Sequence, residues 1–281
     1  MPQVLRTVED IRHALAQHHA RAEIIGFVPT MGALHEGHGM LLERCADECA
    51  VRVLSIFVNP TQFGPGEDFT IYPRTFDSDL ELARSKGVQY IFAPTPEVIY
   101  PENFATFIDV AKVSEPLCGA FRPGHFRGVA TVVHRLFQIL HPQVVYFGQK
   151  DLQQCLVIDR MAKDLELSVK IAICPTVRES DGLAKSSRNH FLSAEERAKS
   201  TVIFRAMDKV GKAFEGGERN VAKLQALARG ELATVAEFNP QYCEIRALPN
   251  LTEAREIDGP SALAIAGYLG KTRLIDNLIL T

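Results

Sequence analysis

Four short stretches of the 281-residue chain gather residue types that act on anions. The first, Met31-Gly32-Ala33-Leu34-His35-Glu36-Gly37-His38, follows an apolar run closed by Pro29 and opens a helical pattern. A helix N-terminus presents unpaired N–H groups and the positive end of its dipole, and both attract phosphate. His35 and His38 are three apart, so in a helical first turn both rings face one ligand. There they can donate to phosphoryl oxygens as charge develops. The same residues also fit a solvated surface turn. H-E-G-H is one residue short of the zinc pattern H-E-x-x-H.

The second stretch, Val58-Asn59-Pro60-Thr61-Gln62-Phe63-Gly64, offers amides that hold hydroxyls and carboxylates without adding charge. Its plainer reading is a Pro-Gly loop in which Asn59 caps its own backbone. The third, Phe147-Gly148-Gln149-Lys150-Asp151-Leu152-Gln153-Gln154, again runs from strand through Gly and Lys to a helix start. Asp151 there fits an N-cap. Lys150 opposes the helix dipole unless an anion is bound, so a phosphate is expected beside it. The fourth, residues 178–189, reads RESDGLAKSSRN. Arg188 offers a fork for phosphate, and Ser186 and Ser187 offer donors. A polar linker is the alternative. Two look-alikes are set aside. Gly267–Thr272 ends like a phosphate loop but precedes a strand, so a hairpin is expected. His134 lies on an apolar helix and reads as a satisfied structural histidine.

The elements that must position these stretches follow from periodicity. Strands are expected over 24–28, 51–58, 88–92, 144–147 and 169–174, alternating with helices over 4–20, 38–50, 77–86, 129–140 and 151–164. Apolar strands alternating with helices predict an α/β, Rossmann-like doubly wound parallel sheet covered on both faces. Ligands of such sheets bind beyond the carboxyl ends of the strands, which is where all four stretches lie. After about residue 190 the pattern changes. Ser193-Ala194-Glu195-Glu196 is a capping box opening a long helix to about 214, a second helix covers 221–238, and strands follow over 242–248, 262–268 and 273–280. This predicts a smaller C-terminal α+β domain (179–281) after a first domain of 1–178.

Composition limits the function classes. Net charge is −3, so no basic excess exists to bind a nucleic-acid backbone. No apolar run approaches the length of a membrane span. The opening MPQVLRTVEDIRHALAQ carries charges and no apolar core, so no secretory signal is expected there. The six cysteines form no C-x-x-C pair, which fits a reducing, cytoplasmic compartment better than a disulfide framework.

Taken in order, PTMGALHEGH, FVNPTQFGPGEDFTIYPRT, FRPGHFRGVATVVHRLF, FGQKDLQQ and VRESDGLAKSSRN resemble the pantoate–β-alanine ligase (pantothenate synthetase) family. That family belongs to the HIGH-motif nucleotidyltransferases. The resemblance implies condensation of pantoate with β-alanine, with ATP giving AMP and pyrophosphate through a pantoyl adenylate. Magnesium accompanies the nucleotide, and a cytoplasmic homodimer is expected. The resemblance assigns Met31–His38 to ATP (Met31, Gly32, Ala33, Leu34, His35, Glu36, Gly37, His38), with His38 as proton donor. It assigns Gly148, Gln149, Lys150, Asp151, Val177, Lys185, Ser186, Ser187 and Arg188 to the nucleotide as well. Gln62 and Gln154 match pantoate-binding glutamines, with Gln62 also touching the β-alanine site, Asn59 matches a neighbouring asparagine, and Arg122 a mobile-loop arginine. His35, His38 and Lys150 form the expected catalytic set, no metal ligand is assigned, and 179–281 is expected to close over the site as a lid. Two positions depart from the family: Gln149 where Glu is common, and Lys185 where Met or Leu is usual. Two other readings share the signals. One is a nucleotidyltransferase making a dinucleotide or CDP-linked product; the other is a non-catalytic nucleotide-binding module.

Overall fold

The computed structural model describes residues 1–281. Its first unit is a six-stranded, all-parallel sheet in the order β1-β4-β3-β2-β5-β6. The strands are β1 (Gln3–Leu5), β2 (Ile25–Thr30), β3 (Val51–Ile56), β4 (Tyr90–Phe92), β5 (Val144–Gly148) and β6 (Lys170–Cys174). Successive side chains point to opposite faces. Phe27, Val53, Val145 and Phe147 enter one core under α1 (Val8–Ala20), α6 (His125–Leu140) and α7 (Leu152–Asp164). Val28, Leu54 and Tyr146 enter the other, under α2 (Glu36–Glu48) and α3 (Phe76–Ser85). Burial on both faces is why these strands read as uninterrupted apolar runs.

The second unit is an antiparallel sheet in the order β10-β9-β7-β8, built from β7 (Phe238–Ala247), β8 (Thr252–Glu253), β9 (Ser261–Leu269) and β10 (Thr272–Leu280). One face carries α9 (Val202–Glu215) and α10 (Val221–Leu232), meeting Leu263, Ile265 and Leu269. The other face joins the core of the first unit through Tyr242, Ala262 and Ala266. The two sheets are therefore fastened by shared apolar packing. Gly267–Thr272 is the end of β9, the two-residue turn Gly270-Lys271 and the start of β10, with Gly270 at φ +57°, as a tight hairpin favours.

Several expected elements shift. The helix expected over 4–20 begins only at Val8, because Thr7 caps it by accepting from the Asp10 N–H. Residues 3–5 instead form the edge strand β1 against β4. The Ser193 capping box is present, but it opens the short helix α8 (Ala194–Lys199), and a break at Ser200-Thr201 precedes α9. The helix expected over 221–238 stops at Leu232, and Phe238 starts β7. The short helices α4 (Pro96–Ile99) and α5 (Cys118–Phe121) carry no period long enough to read. All six cysteines are free and buried. His134 lies half-buried on α6, outside the crevice lining, with no protein hydrogen-bond partner for its ring.

Candidate active site

In this sheet the chain reverses its order of strand addition between β2 and β5. Loops after those two strands part there and leave a crevice, the usual ligand position in an open α/β sheet. The loop after β2 is Met31–His35 and the loop after β5 is the single 3-10 turn Gln149–Asp151, so the first and third chemical stretches face each other. A cavity of about 230 Å³ lies between them. Its lining includes Met31, His35, Gly37, His38, Asn59, Gln62, Arg122, Gly148, Lys150, Asp151, Gln154, Val177, Lys185, Ser186, Ser187 and Arg188. Five expected residues stand behind it instead: Gly32, Ala33, Leu34, Glu36 and Gln149.

Those five have other work. Gly32 (φ +82°) and Ala33 (φ +50°) turn the chain through the left-handed region. The N–H groups of Ala33 and Leu34 donate to the buried Asp79 carboxylate at 3.1 and 2.8 Å. Asp79 thus fixes the turn, and those N–H groups are not free for phosphate. Glu36 is exposed and forms an ion pair with Lys185. Gln149 donates to Asn277 at 3.3 Å, and Asn277 in turn donates to the carbonyls of Gln149 and Lys150 at 2.8 and 3.0 Å. The C-terminal sheet therefore holds the backbone that carries Lys150.

Helix α2 begins one residue past His35, earlier than the sequence suggested, so His35 is its N-cap. Nδ1 of His35 accepts from the Gly37 N–H at 3.1 Å, and Nδ1 of His38 accepts from the His35 N–H at 3.2 Å. Each ring therefore carries its proton on Nε2. The two rings lie 4.2 Å apart between centroids. Burial, then the charge of Lys150, lowers His35 to about 4. Burial, then His35 and Lys150, lowers His38 to about 3. Both are neutral N–H donors near pH 7. The two rings are therefore donors, and Lys150 beside them supplies the positive charge.

Across the crevice the second stretch is held from behind. Asn59 is 1% exposed. Its Oδ1 accepts from Tyr100 Oη at 2.7 Å and Thr61 Oγ1 at 3.0 Å, while Nδ2 donates to Gln62 Oε1 and to the Gly128 carbonyl, each at 3.1 Å. This fixes the amide both ways round. Gln62 spends its oxygen on Asn59, and its Nε2 reaches only Met31 Sδ, at 3.2 Å, so it presents N–H to the cavity. Gly128 permits this approach, because a Cβ there would stand 2.4 Å from the Thr61 carbonyl oxygen. Asn59 caps Thr61, as its plainer reading has it, and it also lines the cavity and holds the Gln62 amide.

Each cation of the cavity has a carboxylate partner. Lys150 lies 3.7 Å from Asp151, and Lys185 pairs with Glu36 and, at 3.3 Å, with Glu179. Arg188 is bidentate to Asp68 at 2.7 and 2.9 Å and lies over the Tyr72 ring. Arg122 is bidentate to Glu67 at 2.7 and 2.6 Å. His125 donates from Nδ1 to the Gln62 carbonyl at 2.8 Å and accepts from Arg122 at 3.2 Å. Sequence reading passed over Glu67, Asp68, Asp79, Tyr100, His125 and Asn277. Glu67-Asp68 sits inside a quoted motif, and its two adjacent acids opposite two arginines were the available signal. His125 likewise sits inside a quoted motif, three residues from Arg122, whereas Asp79, Tyr100 and Asn277 carry no signal short of the fold.

The arrangement suits an anionic, phosphate-bearing ligand beside a hydroxyl- or carboxylate-bearing one. The family model "Pantoate-beta-alanine ligase" matches residues 3–279. A pantothenate synthetase of Pelotomaculum thermopropionicum is 48% identical over 99% of this chain and 98% of its own, and one of Bradyrhizobium diazoefficiens is 51% identical over the same shares. The crystal structure of pantothenate synthetase from Thermus thermophilus superposes with a TM-score of 0.93 at 45% identity, covering 99% of both chains. That of the Francisella tularensis pantoate–β-alanine ligase, in complex with a β,γ-ATP compound and β-alanine, superposes at 0.77 and 33% identity, over 99% of this chain and 98% of that one. No helix here is long and apolar enough to cross a membrane. With a match this long and a crevice of this make-up, the chain belongs to the pantoate–β-alanine ligase family.

Proposed function

We propose that this chain joins pantoate to β-alanine in two steps, with a pantoyl adenylate between them and pantothenate, AMP and pyrophosphate as products. One observation carries the reading. His38, Lys150 and the adjacent pair Ser187-Arg188 come from three separate stretches and line the same cavity as Gln62 and Gln154. In the first step a pantoate carboxylate oxygen attacks the α-phosphorus and pyrophosphate leaves. Anion meets anion, so the site must offset the repulsion. Lys150 supplies charge, and the Nε2–H groups of His35 and His38 supply donors that lose no solvation as the transition state forms. Ser186, Ser187 and Arg188 hold the departing pyrophosphate. In the second step the neutral amine of β-alanine attacks the acyl carbon, AMP leaves, and the amine proton passes to solvent. No strong base faces the cavity, so positioning supplies most of this step.

Magnesium is expected to arrive on the triphosphate. The chain has no cluster of three or more acidic, histidine or cysteine ligands, and a metal held mainly by phosphates asks for only one or two protein oxygens. Asp151, half-exposed at the cavity, fits that need. The ion's contribution there is to neutralise phosphate charge. Cytoplasmic placement is supported by six reduced, buried cysteines. The homodimer is tested by light scattering.

AMP release tests the reaction, with pantoate and β-alanine omitted in turn. Pyrophosphate exchange into ATP should require pantoate. Exchange without it points to another nucleotidyltransferase; ATP binding without exchange under any acid points to a non-catalytic module.

Gln62 gives pantoate oxygens a donor without pinning a carboxylate whose charge must be consumed. Tyr100→Phe removes the hydroxyl that orients Asn59 while leaving every cavity contact in place. Loss of one such hydrogen bond costs about 1 kcal/mol, so roughly a fivefold rise in the pantoate KM is expected, with the ATP KM little changed. Equal rises in both would show a general loosening instead.

The lid role of 179–281 rests on contacts made across the crevice. Lys185–Glu36 and Arg188–Asp68 are carboxylate pairs that phosphate oxygens can replace. The loop that holds Lys185–Asn189 and the turn around 120–126 should then open more often without nucleotide. If cleavage follows the open population, ATP at ten times its Kd slows tryptic cutting after Lys185 and Arg188 about tenfold. Equal cutting with and without ATP excludes a lid.

A further inference from the structure

Lys150 is the one cation of the crevice whose tip is not held. Its Nζ donates no hydrogen bond, and its nearest carboxylate, Asp151, stands at 3.7 Å. Arg122 and Arg188 are each fixed by a two-pronged bond to a carboxylate, and Lys185 is paired with Glu36 and Glu179. A lysine is an ammonium on a flexible four-carbon stem, so with its tip loose its charge is aimed from the backbone. That backbone is gripped from the C-terminal sheet. Asn277, on β10 and 4% exposed, donates from Nδ2 to the carbonyls of Gln149 and Lys150 at 2.8 and 3.0 Å, and accepts from Gln149 Nε2 at 3.3 Å. Carbonyls only accept, so the amide has one orientation. The preceding residue grips the other loop. Asp276, 5% exposed, accepts from Arg178 at 2.5 and 3.2 Å. Arg178 also donates to the Gly182 carbonyl at 3.0 Å, at the base of the stretch that carries Ser186, Ser187 and Arg188. Arg178, Asp276 and Asn277 all stand outside the crevice lining. Two neighbouring residues of one strand thus hold, from behind, the two loops that the proposed reaction brings to one triphosphate.

Resting on the two-step reaction above, we propose that β10 spaces Lys150 from Ser187 and Arg188, and that Asn277 is a positioning residue for the adenylation step, acting through Lys150. This divides the work of the C-terminal unit. Its loop supplies donors that respond to the nucleotide, whereas β10 stays fixed and keeps the lysine in register with them. Placement is worth a great deal here, since a misplacement of about 1 Å costs on the order of a hundredfold in rate. Removing the Asn277 amide takes its donor from two carbonyls and lets the turn relax, without removing a contact to any substrate. The choice of amide over acid follows as well. A carboxylate at 277 would stand against both carbonyl oxygens and beside Asp276.

The test is a double-mutant cycle on pantoate-dependent exchange of labelled pyrophosphate into ATP. It compares the parent, Asn277→Ala, Lys150→Met and the double variant, with rates taken per folded chain from the amplitude of thermal unfolding. Asn277→Ala should lower kcat about tenfold to a hundredfold. The pantoate KM should stay within about twofold, because Gln62 stands across the crevice on a different loop. In the Lys150→Met background the same change should cost less than about twofold more, since residues that act through one another are not additive. Should Asn277→Ala give no folded protein, Asn277→Ser keeps one donor and enters the same cycle. Three results each overturn the role of Asn277: a kcat within about twofold of the parent, a pantoate KM that rises as far as kcat falls, or the full loss repeated in the Lys150→Met background. Exchange by the parent without pantoate overturns the reaction itself, a separate failure.

Discussion

Replacing His38 with alanine is expected to lower pantoate-dependent AMP formation at least about a hundredfold. One pre-aimed donor to a developing oxyanion is worth roughly 3 kcal/mol. The His38 ring has its Nδ1 committed to the His35 N–H at 3.2 Å, so its Nε2–H is held toward the cavity before any ligand arrives. Alanine also removes half of the cap on α2, which costs about 1 kcal/mol of stability. The two effects separate in His38→Gln. Glutamine at the third helical position reaches back to the N-cap N–H as it does in a capping box, so stability should return to within a few tenths of a kcal/mol. Its flexible amide does not restore an imidazole Nε2–H at the same point, so turnover should stay well below the parent. Thermal unfolding and AMP release on the same two variants decide the matter. Parental turnover in either would remove His38 from the first step.

Much of this site was legible because each anion-binding stretch follows a buried strand. The runs at 24–28 and 144–147 are apolar through and through, so a doubly wound sheet and loops at its carboxyl edge could be inferred before any contact was known. What periodicity could not show is which strand stands beside which. The gap between β2 and β5 that brings His38 opposite Lys150 depends on strand order. Roles set by pairing were also hidden. Nothing local to Asp79 says that it consumes the Ala33 and Leu34 N–H groups, and nothing local to Lys185 says that it faces Glu36 and Glu179. Lys185, unusual for the family, bridges two acids in this chain. Gln149 turns away from the cavity toward Asn277, so the change from Glu alters the tie between sheets rather than the cavity lining. The histidines illustrate the same limit: spacing showed that two rings share a turn, but only the caps fix where their protons sit.

Those protons also set how the chain responds to acid. Burial, then the Arg122 charge, lowers His125 to about 4, beside His35 at about 4 and His38 at about 3. In the unfolded chain all three take up protons near pH 6.5. Between about pH 6.5 and 4 the unfolded state therefore binds more protons than the folded one, and stability rises with pH across that window. Going from pH 7 to 5 should cost on the order of 2 kcal/mol for each histidine, so the three together approach the whole stability of an ordinary domain. Paired carboxylates act lower. Burial works to raise Glu67, but the Arg122 pair and the Gly64 N–H together hold it below the ordinary carboxylate value, so it begins to cost stability only as pH falls below that value. A loss of stability already steep at pH 5.5 belongs to the histidines. Urea unfolding at steps from pH 7 to 5 should show it, and His125→Asn should reduce the slope by about one proton's share. A parent chain equally stable at both ends of that range would mean that the three rings are charged in the folded state, and with that the neutral-donor account of His35 and His38 would fall.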